Sequence, residues 1–179
     1  DIELRRVSLT NRNSKRAGAS RTLTVTSYCE PVLEAPGPDA AHPAFEKLFV
    51  QTEILPQWQA IVCMRRSRAP EEATPWMFHL LLPSRRVSAV SYETDRMRFI
   101  GRGRTTASPQ ALDSDAALSG TAGAVLDPVA AVRCRVELRA GQTAVVDLIS
   151  GVAASREACV ALARKVQDPR VAGQMLEQA

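Results

Sequence analysis

Aromatic residues and histidines are scarce in this sequence of 179 residues. Phe, Trp and Tyr together make up 4% of the chain, and there are two histidines. Proteins that grip single-stranded nucleic acid stack bases on several aromatic side chains. The net charge of +4 and the pI near 9.2 are only mildly basic. This combination argues against a dedicated nucleic-acid binder.

Closely spaced cysteines are also missing. The four cysteines, at positions 29, 63, 134 and 159, lie far apart, and the sequence contains no C-x-x-C motif. We therefore expect no structural zinc site and no bound metal. Each cysteine falls in a predicted strand or helix, which favours buried thiols in a reducing compartment over a disulfide pair.

Long apolar runs are absent as well. No run approaches the roughly 18 residues that a membrane-spanning helix needs, and the first residues do not form a signal peptide. With 45% hydrophobic and 23% charged residues, the composition is typical of one soluble globular domain. The chain starts within a predicted strand, without Met, and ends within a predicted helix. We therefore expect a piece of a longer protein.

The first half of the chain consists mainly of predicted strands. In "IELRRVSLT" the apolar positions change parity near Arg5 and Arg6, which predicts a β-bulge there. Residues 11–20 suit a hairpin loop before a second strand, and the proline-rich residues 34–43 suit a loop. "AFEKLFVQTEIL" fits a helical turn or a strand. Residues 105–128 show no period, so they wrap a surface, form a short helical turn or line a site.

The clearest periodicity lies near the end of the chain. In residues 132–139, apolar and charged side chains alternate, which predicts an antiparallel strand with one solvent-facing side and a hairpin partner after "RAGQ". From Ser155 the period changes to that of a helix, with Ser155 as the N-cap and an apolar stripe of Cys159, Leu162, Ala163 and Val166. Asp168 and Pro169 begin another helix.

The segment "YETDRMRFIGRGRTT", residues 92–106, concentrates four arginines and two glycines. Its G-x-G lacks the third glycine and the following helix of a nucleotide-binding loop. Nucleic-acid binding is a weak alternative, because Glu93 and Asp95 offset half of the arginine charge. Two interpretations stay open: a charged turn whose arginines form exposed ion pairs, and a loop that hydrogen-bonds sugar hydroxyls.

Other candidates for chemistry have ordinary structural explanations. His79 lies in an apolar run, which favours a core histidine with its hydrogen bonds satisfied. Trp58 and Trp76 lie in apolar runs too, so core positions are favoured over exposed sugar-stacking platforms. No catalytic motif with fixed spacing occurs. A carboxylate pair for glycoside chemistry meets only in three dimensions and leaves no such spacing.

Five segments taken together resemble the sandwich domain of glycoside hydrolase family 94, and within it the cyclic β-1,2-glucan synthases. In chain order they are "RRVSLTNRNSKRAGASRTLTVTSYCEPVL", "AHPAFEKLFVQTE", "YETDRMRFIGRGRT", "LSGTAGAVLDPV" and "GVAASREACVALARKVQDP". The resemblance implies an all-β, galactose-mutarotase-like β-supersandwich of antiparallel strands over residues 1–152. It also implies that residues 153–179 form a helical linker toward a following domain.

The resemblance further implies an ancillary role without catalytic residues or cofactors in this chain. In the family, a following helical barrel carries the general-acid Asp, and phosphate is the nucleophile. The arginine segment matches a family stretch, so we expect Asp95, Arg96, Phe99, Arg102 and Arg104 to face substrate or another domain. Arg96 and Arg102 are expected nearest the partner, and an internal Asp95–Arg96 ion pair is the alternative.

The expected partners are β-1,2-glucan or other domains of the same polypeptide, and a homodimer is a further alternative. No nucleic acid and no membrane insertion by this segment are expected. The parent protein is expected at the cytoplasmic face of a bacterial inner membrane. A free-standing carbohydrate-binding module, resting on Trp58, Trp76 and the arginine segment, is the alternative function.

Overall fold

A computed structural model describes residues 1–12, 20–69, 71–83 and 87–177. Eight strands and five helices account for most of these residues. The strands are β1 (Ile2–Thr10), β2 (Ser20–Cys29), β3 (Val50–Leu55), β4 (Ala60–Arg65), β5 (Trp76–Pro83), β6 (Val87–Asp95), β7 (Pro128–Arg139) and β8 (Thr143–Ala153). The helices are α1 (Pro36–Ala41), α2 (Pro43–Lys47), α3 (Arg96–Ile100), α4 (Arg156–Lys165) and α5 (Pro169–Glu177), with short 3₁₀ turns at Pro56–Trp58 and Gln110–Leu112.

The strands form two antiparallel sheets that pack face to face. Sheet A has the order β1-β8-β5-β4-β3, and sheet B has the order β2-β7-β6. Between them lies a core of fully buried side chains that includes Ile61, Leu81, Val132 and Val136. The prediction of an antiparallel all-β sandwich followed by helices is confirmed.

Both predicted hairpins are wrong, for a shared reason. Strand β1 pairs with β8, and β2 pairs with β7, so the chain crosses from one sheet to the other after β1 and again after β7. The two crossings lie side by side: Asn11 donates its backbone N–H to Gln142 O at 2.9 Å, and Gly141 donates to Asn11 O at 2.8 Å. Because turn residues and strand periodicity are local signals, they cannot tell a hairpin from a crossing of this kind. Part of the first connection, residues 13–19, lies outside the described residues.

The parity change in β1 does not produce a bulge. Its register with β8 runs without a break from Ile2 opposite Gly151 to Thr10 opposite Thr143. Ile2 and Leu4 pack on the outer face of sheet A, whereas Leu9 packs into the core between the sheets. One straight strand therefore buries opposite faces at its two ends, and this explains the pattern that predicted a bulge.

Strand β7 alternates between core and solvent only in its second half. Residues 128–134 are all buried, because sheet A covers one face and residues 105–127 cross the other. Arg133, expected to face solvent, is 3% exposed and donates to the carbonyl oxygens of Ala111, Ser114 and Ala116. The aperiodic segment therefore wraps a surface, and it also contains the short helical turn Gln110–Leu112, so two of the three alternatives apply.

The C-terminal helices follow the sequence pattern closely. Ser155 caps α4 by accepting from the backbone N–H of Ala158 at 3.1 Å, and Asp168 accepts from Arg170 N at the start of α5. The stripe Cys159, Leu162, Ala163 and Val166 packs on the outer face of sheet A. Both helix predictions are confirmed, and a second apolar layer forms on this face.

The proline-rich segment is a short helix rather than a loop. Pro36 stands in the first turn of α1, where a missing N–H and a fixed φ do not disturb the helix. The ambiguous stretch after it divides in two, with helix α2 at its start and strand β3 at its end. A proline in the first turn is compatible with a helix, so proline content alone does not indicate a loop.

His79 is a core histidine with both ring nitrogens satisfied, as predicted. Nε2 lies 2.8 Å from Ser27 Oγ in sheet B, and Nδ1 lies 2.8 Å from Ser150 Oγ in sheet A. Burial and, to a smaller extent, the nearby charge of Arg5 together lower the pKa of His79 to about 4, and Glu3 opposes the shift. The neutral ring therefore bridges the two sheets.

The four thiols and two tryptophans also take core positions. All four cysteines are free, with Cys63, Cys134 and Cys159 buried, and burial raises the pKa of each thiol. Both tryptophans are partly buried in the cluster beneath α4 and α5. Neither forms an exposed sugar-stacking platform.

We predict that protonation of His79 in the unfolded chain makes the fold less stable in mild acid. The histidine pKa falls from its ordinary value of about 6.5 to about 4 on folding. Stability is therefore complete above pH 6.5 and is lost as the pH drops toward 4, by about 1 kcal/mol per pH unit. Urea unfolding of the parent chain and of His79→Asn between pH 7 and 5 measures this slope.

The His79→Asn variant should lose most of that slope, and His42→Asn, at an exposed histidine, should keep it. An equal slope in the parent chain and in His79→Asn would contradict the assignment.

Candidate functional site

The arginine segment begins with a capped helical turn. Strand β6 ends at Asp95, whose carboxylate accepts from the backbone N–H of Met97 at 2.8 Å and so caps α3. Gly101 ends the helix with a φ of 89°, and its N–H donates to Met97 O at 2.9 Å. A Cβ at Gly101 would lie 2.6 Å from Gln110 Oε1, so glycine is required there for space as well as for backbone angle.

Arg96 belongs to a cluster of interacting polar side chains that we name the Glu30 network. Its members are Tyr28, Glu30, Lys47, Arg96 and Asp127. Arg96 Nε lies 3.0 Å from Glu30 Oε1, and Lys47 Nζ lies 3.0 Å from Glu30 Oε2 and 3.1 Å from Asp127 Oδ1. Arg96 therefore pairs with Glu30 and Asp127, and not with Asp95 as the alternative had it.

Glu30 is held as a carboxylate by this network. Partial burial opposes its ionisation, but hydrogen bonds from Tyr28, Lys47 and Arg96 outweigh burial and lower the pKa of Glu30 to about 2. Tyr28 donates its hydroxyl to Glu30 at 2.6 Å, and burial with this bond raises the pKa of the phenol. The network joins the end of β2 to α2, α3 and the start of β7.

The other predicted site residues have different surroundings. Phe99 is 3% exposed and packs on Tyr28 with ring centroids 4.8 Å apart, so it supports the loop from below. Arg104 pairs with Asp113 at 2.8 Å. Arg102 is exposed, and no ion pair or hydrogen bond joins its side chain to another described residue. Of the five predicted residues, Arg102 is the one that points its charge at solvent.

Exposed apolar side chains stand next to members of the Glu30 network along the chain. Met97 is 61% exposed and Leu126 is 78% exposed, and they flank Arg96 and Asp127 in the chain. Val32, Phe45 and Leu48 are also exposed and lie one or two residues from other members of the network. We name these five residues the apolar rim. Large exposed apolar side chains beside paired charges are typical of a protein interface.

Two buried charged groups were missed by sequence reasoning. Arg65 is 1% exposed and lies 2.6–2.8 Å from the carboxylates of Glu34, Glu46 and Glu72. Glu93, also 1% exposed, accepts from the backbone N–H groups of Thr94 and Asp95 and from the Ser119 hydroxyl. Arg65 has the same parity in β4 as the core residues Ile61 and Cys63, and that inward parity was the available signal. Glu93 lies on the opposite face of β6 from the core residue Tyr92, where Ser119 and Thr121 cover it, so strand parity gave no signal for it.

The surroundings of α3 do not assemble a metal site or a deep cleft among the described residues. No group of three or more His, Cys, Asp and Glu side chains there is placed to hold a metal ion. A hollow of about 120 Å³ lies beside the loop, lined by Tyr28, Phe99, Pro109 and Leu112 among others. This is well below the roughly 300–1,000 Å³ of typical small-molecule sites.

The family comparison agrees with this sandwich. The glycosyl hydrolase 94 supersandwich domain matches residues 1–169, which is most of the chain. The chain belongs to this family. The supersandwich prediction is thereby confirmed, and the match includes the sandwich, α4 and the start of α5.

One curated relative supports the same assignment. The cyclic β-(1,2)-glucan synthase NdvB of Rhizobium meliloti (strain 1021) is 40% identical over 146 residues, 79% of this chain. The match covers 5% of the relative's own length. None of the described helices is long and apolar enough to span a membrane.

We predict that Arg96 stabilises this family domain through Glu30. Arg96→Ala removes two ion pairs from a partly exposed site, so unfolding should become easier by about 1 kcal/mol. The pKa of Glu30 should rise from about 2 toward its ordinary value. Denaturant unfolding and carboxyl-carbon NMR titration measure the two effects.

The matched control is Arg98→Ala in the same helix. Arg98 is exposed, and its carboxylate contact with Asp95 is 3.8 Å long, so this variant should shift neither quantity measurably. A Glu30 pKa that stays unchanged in Arg96→Ala would contradict the network.

Proposed function

We propose that this chain is a non-catalytic sandwich domain of a cyclic β-1,2-glucan synthase, which packs on neighbouring domains of its own polypeptide and helps to shape the glucan path. Membership of the family and the 40% identity to NdvB support this parent. Because the match covers 5% of that relative, a great deal of other polypeptide is available as a partner. The inner-membrane location stays a prediction that rests on the resemblance.

The apolar rim carries the packing proposal. The ion pairs of the Glu30 network hold the backbone segments that carry the rim's side chains, so the segments are in place before any partner arrives. Large apolar groups held on a rigid base lose little entropy on association and release water when covered. Arg102 adds an exposed cation at the same end of the domain, suited to a carboxylate or to sugar hydroxyls.

The charges near α3 support a non-catalytic role. Glycoside chemistry needs a carboxylic acid that stays protonated near neutral pH, hence with a raised pKa. The network has the opposite effect, because it lowers the pKa of Glu30 to about 2. Asp95 caps a helix, and Asp113 pairs with Arg104. Each of these carboxylates already has a structural use.

The alternative of a free-standing carbohydrate-binding module loses its main support. Trp58 and Trp76 pack beneath the helices, and Arg164 covers Trp58 with its guanidinium 5.1 Å from the ring centroid. Aromatic platforms for sugars have to be exposed. The sequence argument for this alternative therefore rests on Arg102 alone.

We predict that the isolated chain does not cleave glucan. Incubation with β-1,2-glucooligosaccharides and inorganic phosphate should release no glucose 1-phosphate above a buffer control. Detection of that product, with loss of it in a heat-treated sample, would overturn the non-catalytic role.

We also predict that acids in the apolar rim disrupt packing in the whole synthase. Met97→Asp with Leu126→Asp would bury two charges in the interface, at a cost of several kcal/mol. In the full-length protein, amide hydrogen exchange of residues 95–101 should speed up to the rate of the isolated chain. Glucan synthesis should fall severalfold.

Stability of the isolated double variant should stay within about 0.5 kcal/mol, because both sites are exposed. Ala161→Asp, an exposed position on α4, is the matched control and should leave exchange at 95–101 unchanged. Equal exchange in the full-length protein and the isolated chain, before any mutation, would show that the rim is uncovered and would contradict the proposal.

A further inference from the structure

A cavity of about 340 Å³ lies on the side of the molecule covered by the C-terminal helices. Sheet A forms its floor through Leu82 and Val145, and the start of α5 forms a wall through Pro169 and Ala172. The volume is at the low end of the roughly 300–1,000 Å³ range of small-molecule sites. It has room for one small ring and not for a chain of several.

A buried carboxylate stands in the floor of this cavity. Asp147 is 7% exposed, and both of its oxygens are bonded by Arg6, at 2.7 Å from Nε and 2.8 Å from Nη2. A carboxylate offers about four acceptor positions, so the pair leaves further positions unused. The guanidinium also neutralises the charge, and the floor is polar without carrying a net charge.

Gln59 supplies a second acceptor, and this one has no partner. Its Oε1 is shielded from solvent and makes no hydrogen bond within the described structure. The residue is held in the left-handed region, with φ at 49°, by the 3₁₀ turn before it and by Leu81 N, which donates to Gln59 O at 3.3 Å. A buried acceptor without a partner is unfavourable, so a ligand that donates to it gains a stabilising hydrogen bond.

Gln167 completes the polar lining from the helical side. Its Nε2 donates to Trp58 O at 2.6 Å, which ties the α4–α5 connection to the β3–β4 turn. The polar groups thus sit on three separate elements around an apolar floor. This mixture of few polar groups with apolar walls is typical of sites for small ligands.

The chemistry of these groups selects the ligand class. A free anion would meet Asp147, and a free cation would find that carboxylate already paired with Arg6. Hydroxyl groups can donate to both Gln59 Oε1 and Asp147, and the C–H face of a ring can lie on Leu82 and Val145. We propose that this cavity binds a neutral polyhydroxylated ring the size of a single hexopyranose.

The proposal does not depend on the interdomain role. The cavity lies between sheet A and α5, whereas the apolar rim surrounds α3, which follows sheet B. The competing explanation is a cavity that holds only water, which a polar lining of this kind also accommodates. A sugar titration distinguishes the two.

The test is a ¹H–¹⁵N NMR titration of the full chain with D-glucose, with potassium phosphate as the anionic probe and choline chloride as the cationic probe. We expect saturable shifts with glucose at the side-chain amides of Gln59 and Gln167 and at the backbone of Asp147. No saturable shifts are expected with either charged probe. Shifts that rise linearly to the solubility limit of the sugar would show a water-filled cavity and overturn the proposal.

Two variants locate the binding. Gln59→Met keeps the side-chain length but removes the acceptor, and should weaken glucose binding about threefold to tenfold. Its matched control is Gln57→Met, at an exposed position of the same turn, which should bind as the parent does. Ala172→Met fills the cavity and should abolish the saturable shifts. Unchanged binding in both Gln59→Met and Ala172→Met would place the sugar elsewhere and overturn the site.

Discussion

The burial of β7 on both faces is the constraint on which the rest of this domain depends. Its first seven residues are enclosed, so something has to cover each side. Sheet A covers one side. Residues 105–127 cover the other, held by the Arg133 guanidinium through three backbone carbonyl groups. These carbonyl groups have no strand partner, and Arg133 satisfies them with its guanidinium. The same bonds fix residues 105–127 in place.

The position of that segment then determines the candidate site. It brings Asp113 to Arg104 and Asp127 to Arg96 and Lys47. Residues 105–127 supply ion-pair partners both to Arg104 in the loop and to Arg96 in α3. They therefore hold the loop and the helix together. These ion pairs position the backbone of the loop and of α3, and the side chains of the apolar rim remain exposed.

Local signals in the sequence predicted local structure well. The cap at Ser155, the stripe on α4, the restart at Pro169 and the satisfied core histidine all depend on neighbouring residues or on strand parity. The predicted strand pairing was wrong at the two places where the chain crosses to the other sheet, after β1 and after β7.

The site residues show the same limit. The alternative for Arg96 was an ion pair with the adjacent Asp95, whereas its partner is Glu30, 66 residues away. Nothing in the spacing of residues 92–106 indicates Glu30, because the contact depends on how β2 and β6 flank β7. Likewise, the carboxylates around Arg65 come from positions 34, 46 and 72, and no spacing in the sequence indicates that they meet. Breaking such a buried cluster at one partner costs about 3–5 kcal/mol.

The pairing of β1 with β8 has a consequence for the order of events during synthesis. Ile2 lies opposite Gly151, and Ser20 in β2 lies opposite Arg139. Both early strands therefore leave the ribosome without their partners. At about 5–20 residues per second, they wait on the order of ten seconds for β7 and β8. Sheet closure is dominated by contacts between distant parts of the chain, and such folds form slowly. During that interval β1 and β2 remain unpaired, and sheet A, whose first strand is β1, is completed only when β8 has emerged.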